Sequence, residues 1–115
     1  MKIDIQFRLR VRRGELIVIG PGKVSLLEAI AASGSISAAA RALGMSYRRA
    51  WLLVDEMNRG LANPVVDTMA GGNKGGGAVL TANALEIIKR YRAAEQRALK
   101  ATEKELSALT RLIIK

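Results

Sequence analysis

The chain has 115 residues, enough for one domain with its own core. It contains no cysteine and no histidine, which excludes disulfides, thiolate and imidazole metal sites, thiol nucleophiles and the commonest general base. Its net charge is +9 and its pI is near 10.7, and a chain this basic usually meets a polyanion.

The first 23 residues hold six cations against two anions. Within them Ile3, Ile5, Phe7, Leu9 and Val11 alternate with Asp4, Gln6, Arg8 and Arg10, the period of a strand with one apolar and one wet face. Arg12-Arg13-Gly14 then turns the chain, and Glu15-Leu16-Ile17-Val18-Ile19 runs back. A β-hairpin over 2–19 is expected, ended by Gly20-Pro21-Gly22. The opening MKIDIQFRLR has no apolar core of the signal-peptide kind, and no run approaches the roughly 18 apolar residues of a membrane helix. The expected compartment is the cytoplasm, without a membrane partner.

Val24, Leu27, Ile30 and Ala31 recur at helical spacing, and Gly34 follows as a stop, so a first helix is expected over about 22–33. In SISAAARALGMS, Ser35 or Ser37 is placed to cap a second, short helix over 36–43, and Gly44 suits its left-handed end. Ser46 caps a third helix over 46–59, SYRRAWLLVDEMNRG. Two short helices joined by a glycine-containing turn form a helix-turn-helix. At 100° per residue, Ala50, Val54 and Met57 cluster on one side of the third helix, with Leu53 beside them. Arg48 and Leu52 point the opposite way with Asp55 and Arg59, and Arg49 and Trp51 flank that stripe. Arginine can fork onto guanine and an apolar side chain can meet a thymine methyl, so this face suits a DNA groove. A plain charged face, and a Trp51 half in the core, are the competing readings.

Pro64 to Met69 and Ala78-Val79-Leu80 are β-leaning runs joined by the glycine-rich AGGNKGGG, which suggests a second hairpin over 65–80. The glycines do not form a nucleotide loop. Lys74 follows Asn73 and precedes Gly75, whereas a P-loop lysine directly follows glycine and precedes a hydroxyl residue. No register supplies G-x-G-x-x-G either. A hairpin directly after the third helix is the wing of a winged helix-turn-helix. Gly72, Asn73, Lys74 and Gly75 at its tip would offer N–H groups and a cation to phosphate.

From Thr81 to about Arg111 there is no Pro or Gly, and a continuous helix would span roughly 45 Å, too long for this small domain to cover. Ile87, Tyr91, Ala94, Ala98, Ala101, Ala108 and Leu112 lie near a 3.5-residue seam, broken at Glu105, as for a partner helix from a second copy. A solvated helix packed on its own domain is the alternative.

The run SLLEAIAASGSISAAARALGMSYRRAWLLVDEMN with GGNKGGGAVLT resembles the DNA-binding domain of the ModE family of molybdate-responsive bacterial regulators, a LysR-like winged helix. The resemblance covers nearly the whole chain. It implies a dimer held partly by the long helices, with the third helix in the major groove. By position it places Ser46, Tyr47, Arg48, Arg49 and Trp51 on the recognition helix and Gly71 to Gly77 on the wing. The family's molybdate-binding domains would lie past Lys115, so molybdate is not expected to bind within these residues.

The expected fold is therefore mainly α with small β. It comprises a winged helix-turn-helix over 1–80 with an N-terminal hairpin, and a long dimerisation helix over 81–115. The expected function is sequence-specific binding of double-stranded DNA by a homodimeric regulator, acting as a repressor by steric exclusion and linked to molybdenum genes. No cofactor and no catalytic residue is expected. Expected DNA contacts are Ser35, Ser37, Ser46, Tyr47, Arg48, Arg49, Trp51, Leu52 and the four wing-tip residues. A general nucleoid or RNA-binding role is the alternative. The four aromatics, without a stacking-sheet motif, argue against single-strand recognition. The one adjacent carboxylate pair, Asp55-Glu56, diverges on a helix and argues against an enzyme.

Overall fold

The structure, a computed structural model, describes residues 2–69 and 77–113. In chain order its elements are β1 (Val11–Arg13), β2 (Leu16–Ile19), α1 (Pro21–Ser33), α2 (Ile36–Ala42) and α3 (Tyr47–Gly60). These are followed by β3 (Val66–Met69), β4 (Gly77–Leu80), α4 (Ala82–Ala101) and α5 (Glu103–Ile113). Each helix boundary in the first half has a local cause. Pro21 opens α1, where its missing N–H costs nothing. Gly34 ends α1 at φ 77°, a left-handed conformation that favours glycine. The Ser35 hydroxyl accepts from Ala38 N to start α2, and the Ser46 hydroxyl accepts from Arg49 N to start α3. Gly44, at φ 69°, makes the turn between them.

The core is a three-helix cluster. Leu26, Leu27 and Ile30 of α1 pack with Ile36, Ala39 and Ala40 of α2 and with Ala50, Leu53, Val54 and Met57 of α3. Ala39 and Ala40 of α2 are almost fully buried, which brings the two neighbouring helices close. Val65, Val66 and Ala78 close the far side, where β3 and β4 pair antiparallel from Val66↔Leu80 to Met69↔Gly77. The Asn58 carbonyl Oδ1 accepts from Val65 N at 2.8 Å, tying the end of α3 to the start of this hairpin. Ala78 N donates to Gly34 O, so β4 is also stitched to the α1–α2 turn. At the same end of α3, Gly60 lies against β2, where a Cβ would fall inside the Val18 γ-methyl.

Two expectations are corrected. The first hairpin is much shorter than 2–19: only Val11–Arg13 and Leu16–Ile19 pair, with a bulge between Val11 and Arg12. The cause is arithmetic. Arg13 faces Leu16 and Val11 faces Ile19, so residues 2–10 would need partners in 20–28, which turn at Gly20-Pro21 and enter α1. The long helix is also divided, at Thr102. No Pro or Gly causes this. The Thr102 hydroxyl donates to Ala98 O at 2.6 Å while its backbone takes φ −110°, and Glu103 and Glu105 open a fresh first turn.

Candidate nucleic-acid interface

On α3, burial follows the helical wheel: Ala50, Leu53, Val54, Met57 and Gly60 are inside, and Arg48, Arg49, Leu52, Asp55 and Arg59 are outside. Ser46, Arg48, Arg49, Trp51, Leu52 and Asp55 line one open depression on that outer face. Trp51 is half-buried against the core. It meets Tyr47 edge-to-face, with centroids 6.3 Å apart and planes at 79°. The indole therefore acts as a platform that holds the exposed Tyr47 ring outward. Leu52 is 48% exposed beside the arginines.

The charge on this face is uneven. Asp55 accepts from Arg59 Nε at 2.8 Å, neutralising the C-terminal half of the stripe. Among the described residues Arg48 and Arg49 have no acidic partner, so the positive charge concentrates at the helix's N-terminal end. That end also exposes N–H groups to anions.

Ser46 and Ser35 are both helix caps, so their lone pairs are engaged while each O–H stays free to donate. Ser37 is exposed on α2 and lies 3.5 Å from the Arg41 guanidinium. Gly72, Asn73, Lys74 and Gly75 lie outside the described residues; the structure places only the two strands that flank them.

Two further arginines belong to this face. Arg8 and Arg10, on the segment before β1, line a depression with Arg49, Glu15, Glu56 and the start of α1. Sequence patterning assigns them merely to the wet side of a strand, because nothing local shows that residues 40 positions away lie beside them. Lys23, in the same region, is buried. Its ammonium donates to Ile17 O and lies 3.0 Å from Glu56. It is an internal clamp between α1, β2 and α3, not a surface cation.

The expected dimer seam divides into two parts. Tyr91 is buried, and its hydroxyl donates to Leu9 O at 2.8 Å; Ile87 packs on the chain's own core. These two residues thus serve their own fold. Ala94 and Ala101 are exposed and Ala98 is half-buried. α5 buries nothing at all, although Leu109, Leu112 and Ile113 project from one side of it, 56–82% exposed. Arg92 anchors α4 to α1 by donating to both Glu28 oxygens and to Glu95. The Arg92 hydrogen bond holds the Glu28 carboxyl below its ordinary pKa, against the opposing effect of burial. Arg92 itself is pushed up by the same contacts, Glu28 first.

Among the described residues, no group of three His, Cys, Asp or Glu side chains is placed to hold a metal ion, and no helix is long and apolar enough to cross a membrane.

No family model matches the chain. Individual proteins do. The molybdenum-pterin-binding protein MopB of Rhodobacter capsulatus is 52% identical over 77 residues, 67% of this chain and 28% of that protein. The DNA-binding transcriptional dual regulator ModE of Escherichia coli is 38% identical over 91 residues, covering 79% of this chain and 34% of the regulator. The molybdenum transport protein ModE of Azotobacter vinelandii is 41% identical, with 76% and 34% covered. The chain thus spans about a third of the length of the curated relatives it matches. Among solved structures, the DNA-binding domain in the CbnR_DBD–DNA complex superposes with a TM-score of 0.58 at 18% identity, covering 76% of this chain and 95% of that one. The winged-helix fold is shared with that domain.

Proposed function

Since the chain belongs to the ModE family over the third of those regulators' length that it spans, we propose that it is a sequence-specific, non-enzymatic binder of double-stranded DNA. In this reading it is a homodimeric repressor of genes for molybdenum transport. One observation carries it: the outward face of α3 presents two arginines without acidic partners among the described residues, together with an exposed leucine and tyrosine. In water that combination is poorly placed, whereas a major groove offers it guanine acceptors, thymine methyls and phosphates. Arg48 is assigned to a base edge. Arg49 and one of Arg8 and Arg10 are assigned to phosphates, together with Lys74 on the wing tip.

The reading is tested by footprinting on genomic DNA upstream of oxyanion transport genes, followed by competition with random duplex at fixed salt. Random duplex that competes as well as the footprinted site would favour a general nucleoid role. At that site Arg48→Ala is expected to cost about 1–3 kcal/mol and relax one base preference. Lys74→Ala should instead weaken all duplexes alike and lower the salt slope by about one. Uniform weakening by Arg48→Ala would move Arg48 to the phosphates, and an unchanged slope for Lys74→Ala would remove that contact.

Two copies are proposed because α5 has an apolar side with nothing on it. Leu109, Leu112 and Ile113 continue along the side of α4 that carries Ala94, Ala98 and Ala101. The interface in this reading is centred on the C-terminal half of the long helical arm, with half-sites a whole number of helical turns apart, about 34–36 Å per turn.

These 115 residues are also proposed to bind DNA without responding selectively to molybdate. A tetrahedral oxyanion needs convergent donors in a shielded pocket. The depression nearest to that description, beside Arg8, Arg10 and Arg49, is shared with Glu15 and Glu56. Molybdate and sulfate titrated separately into the protein–DNA complex should act alike and weakly. A micromolar change produced by molybdate alone would show an oxyanion site within this chain.

A further inference from the structure

Residues 2–10 carry the alternation of a strand but have no strand to pair with. β2 ends at Ile19 and the chain leaves the sheet at Gly20, so the arm before β1 overshoots its own hairpin. No backbone–backbone hydrogen bond holds residues 2–10 among the described residues. The arm's side chains nonetheless alternate as those of a strand would. Gln6 donates to Asp4 at 2.6 Å and Arg8 donates to Gln6 at 3.0 Å, so these side chains share one side, two residues apart. Ile5, Phe7, Leu9 and Val11, on the other side, remain 36–43% exposed. Leu9 is pinned by Tyr91, and Ile5 borders the cleft along α4 and α5 with Leu99 and Leu106. The arm therefore runs beside the helices proposed to meet a second copy.

We infer that the arms of two copies pair with each other as antiparallel strands across the twofold axis, with Gln6 or Phe7 on that axis. An unpaired edge with strict alternation is a template for another strand. The arm's own charges select an identical partner. With Gln6 at the centre, Asp4 of each arm faces Arg8 of the other, and Ile5 faces Phe7. With Phe7 at the centre, Asp4 faces Arg10, Gln6 faces Arg8, and Ile5 faces Leu9. Either register brings the single acidic residue of each arm opposite an arginine and matches apolar with apolar. One aspartate per arm engages one arginine, so the other remains for the basic face near Arg49. The inference rests on the two-copy reading but not on DNA binding.

Because the chain has no cysteine, single-cysteine variants report the register without interference. Residues directly opposite in an antiparallel pair have Cα atoms about 4.5–5.5 Å apart. Diagonal neighbours are roughly 7–8 Å apart, beyond the 4.4–6.8 Å or so that a disulfide spans. Ile5→Cys, Gln6→Cys, Phe7→Cys and Arg8→Cys, oxidised in the full chain, should give a sharp maximum. Either Gln6→Cys or Phe7→Cys should cross-link at least about tenfold faster than its neighbours. The arm lies outside the core, so a melting curve confirms that each variant is folded. A flat profile, or a maximum at Ile5→Cys or Arg8→Cys, in protein that sediments as a dimer overturns the arm pairing and leaves the helical dimer standing. A monomer at micromolar concentration overturns both.

Discussion

Glu56→Leu is expected to lose about 3 kcal/mol of folding stability, and Lys23→Met only about 1 kcal/mol, although both break the same ion pair. The asymmetry comes from what each change leaves behind. The Lys23 side chain is 7% exposed and that of Glu56 is 26% exposed. Without Glu56, an ammonium stays buried with only the Ile17 carbonyl to accept from it. Without Lys23, the remaining carboxylate can turn into water, and methionine fills the lysine's stem volume without a charge. The double variant should recover much of the loss, because an apolar pair needs no desolvated charge. Urea midpoints at constant m-value measure all three. Equal losses from the two single variants would mean that Lys23 reaches water and that the clamp is an ordinary surface pair.

That clamp marks the limit of what sequence patterning can reach. The helix-turn-helix is legible because its determinants are local: a 3.6-residue apolar period on 47–60, serine caps at 35 and 46, and glycines at 34 and 44. The outward stripe of α3 follows from the same period, so Arg48, Arg49 and Leu52 are placed correctly on its exposed side. What escapes is pairing between distant segments. Lys23 reads as one more cation in a basic flank, yet Glu56 and the Ile17 carbonyl claim it. Tyr91 fits a heptad seam, yet its hydroxyl is drawn to Leu9, 82 residues away. The arm's alternation predicts a strand but cannot say with whom it pairs. The break at Thr102, where hydroxyl and backbone N–H both reach the Ala98 carbonyl, carries no Pro or Gly signal in the sequence.

Leu109→Glu is expected to turn the proposed dimer into a monomer at micromolar concentration and to weaken binding to a two-half-site operator by about 10²–10⁴-fold. Folding should be unaffected, since Leu109 is 56% exposed on a helix with no fully buried residue. Two linked reading heads convert the second half-site contact into an intramolecular step, and that gain in effective concentration is what the variant removes. The glutamate also places like charges across a twofold interface, so the effect should exceed that of Leu109→Ala. Binding to a single half-site is the internal control: with the α3 surface unchanged, its affinity should stay near the parent value. The weakening on the full operator should also diminish as the half-site spacing is moved off a whole number of turns, because the parent loses its advantage there as well. Sedimentation and titration of both DNA lengths decide the outcome. A Leu109→Glu protein that remains dimeric would move the interface off α5. A monomer that still binds the full operator at parent affinity would show that recognition needs only one copy.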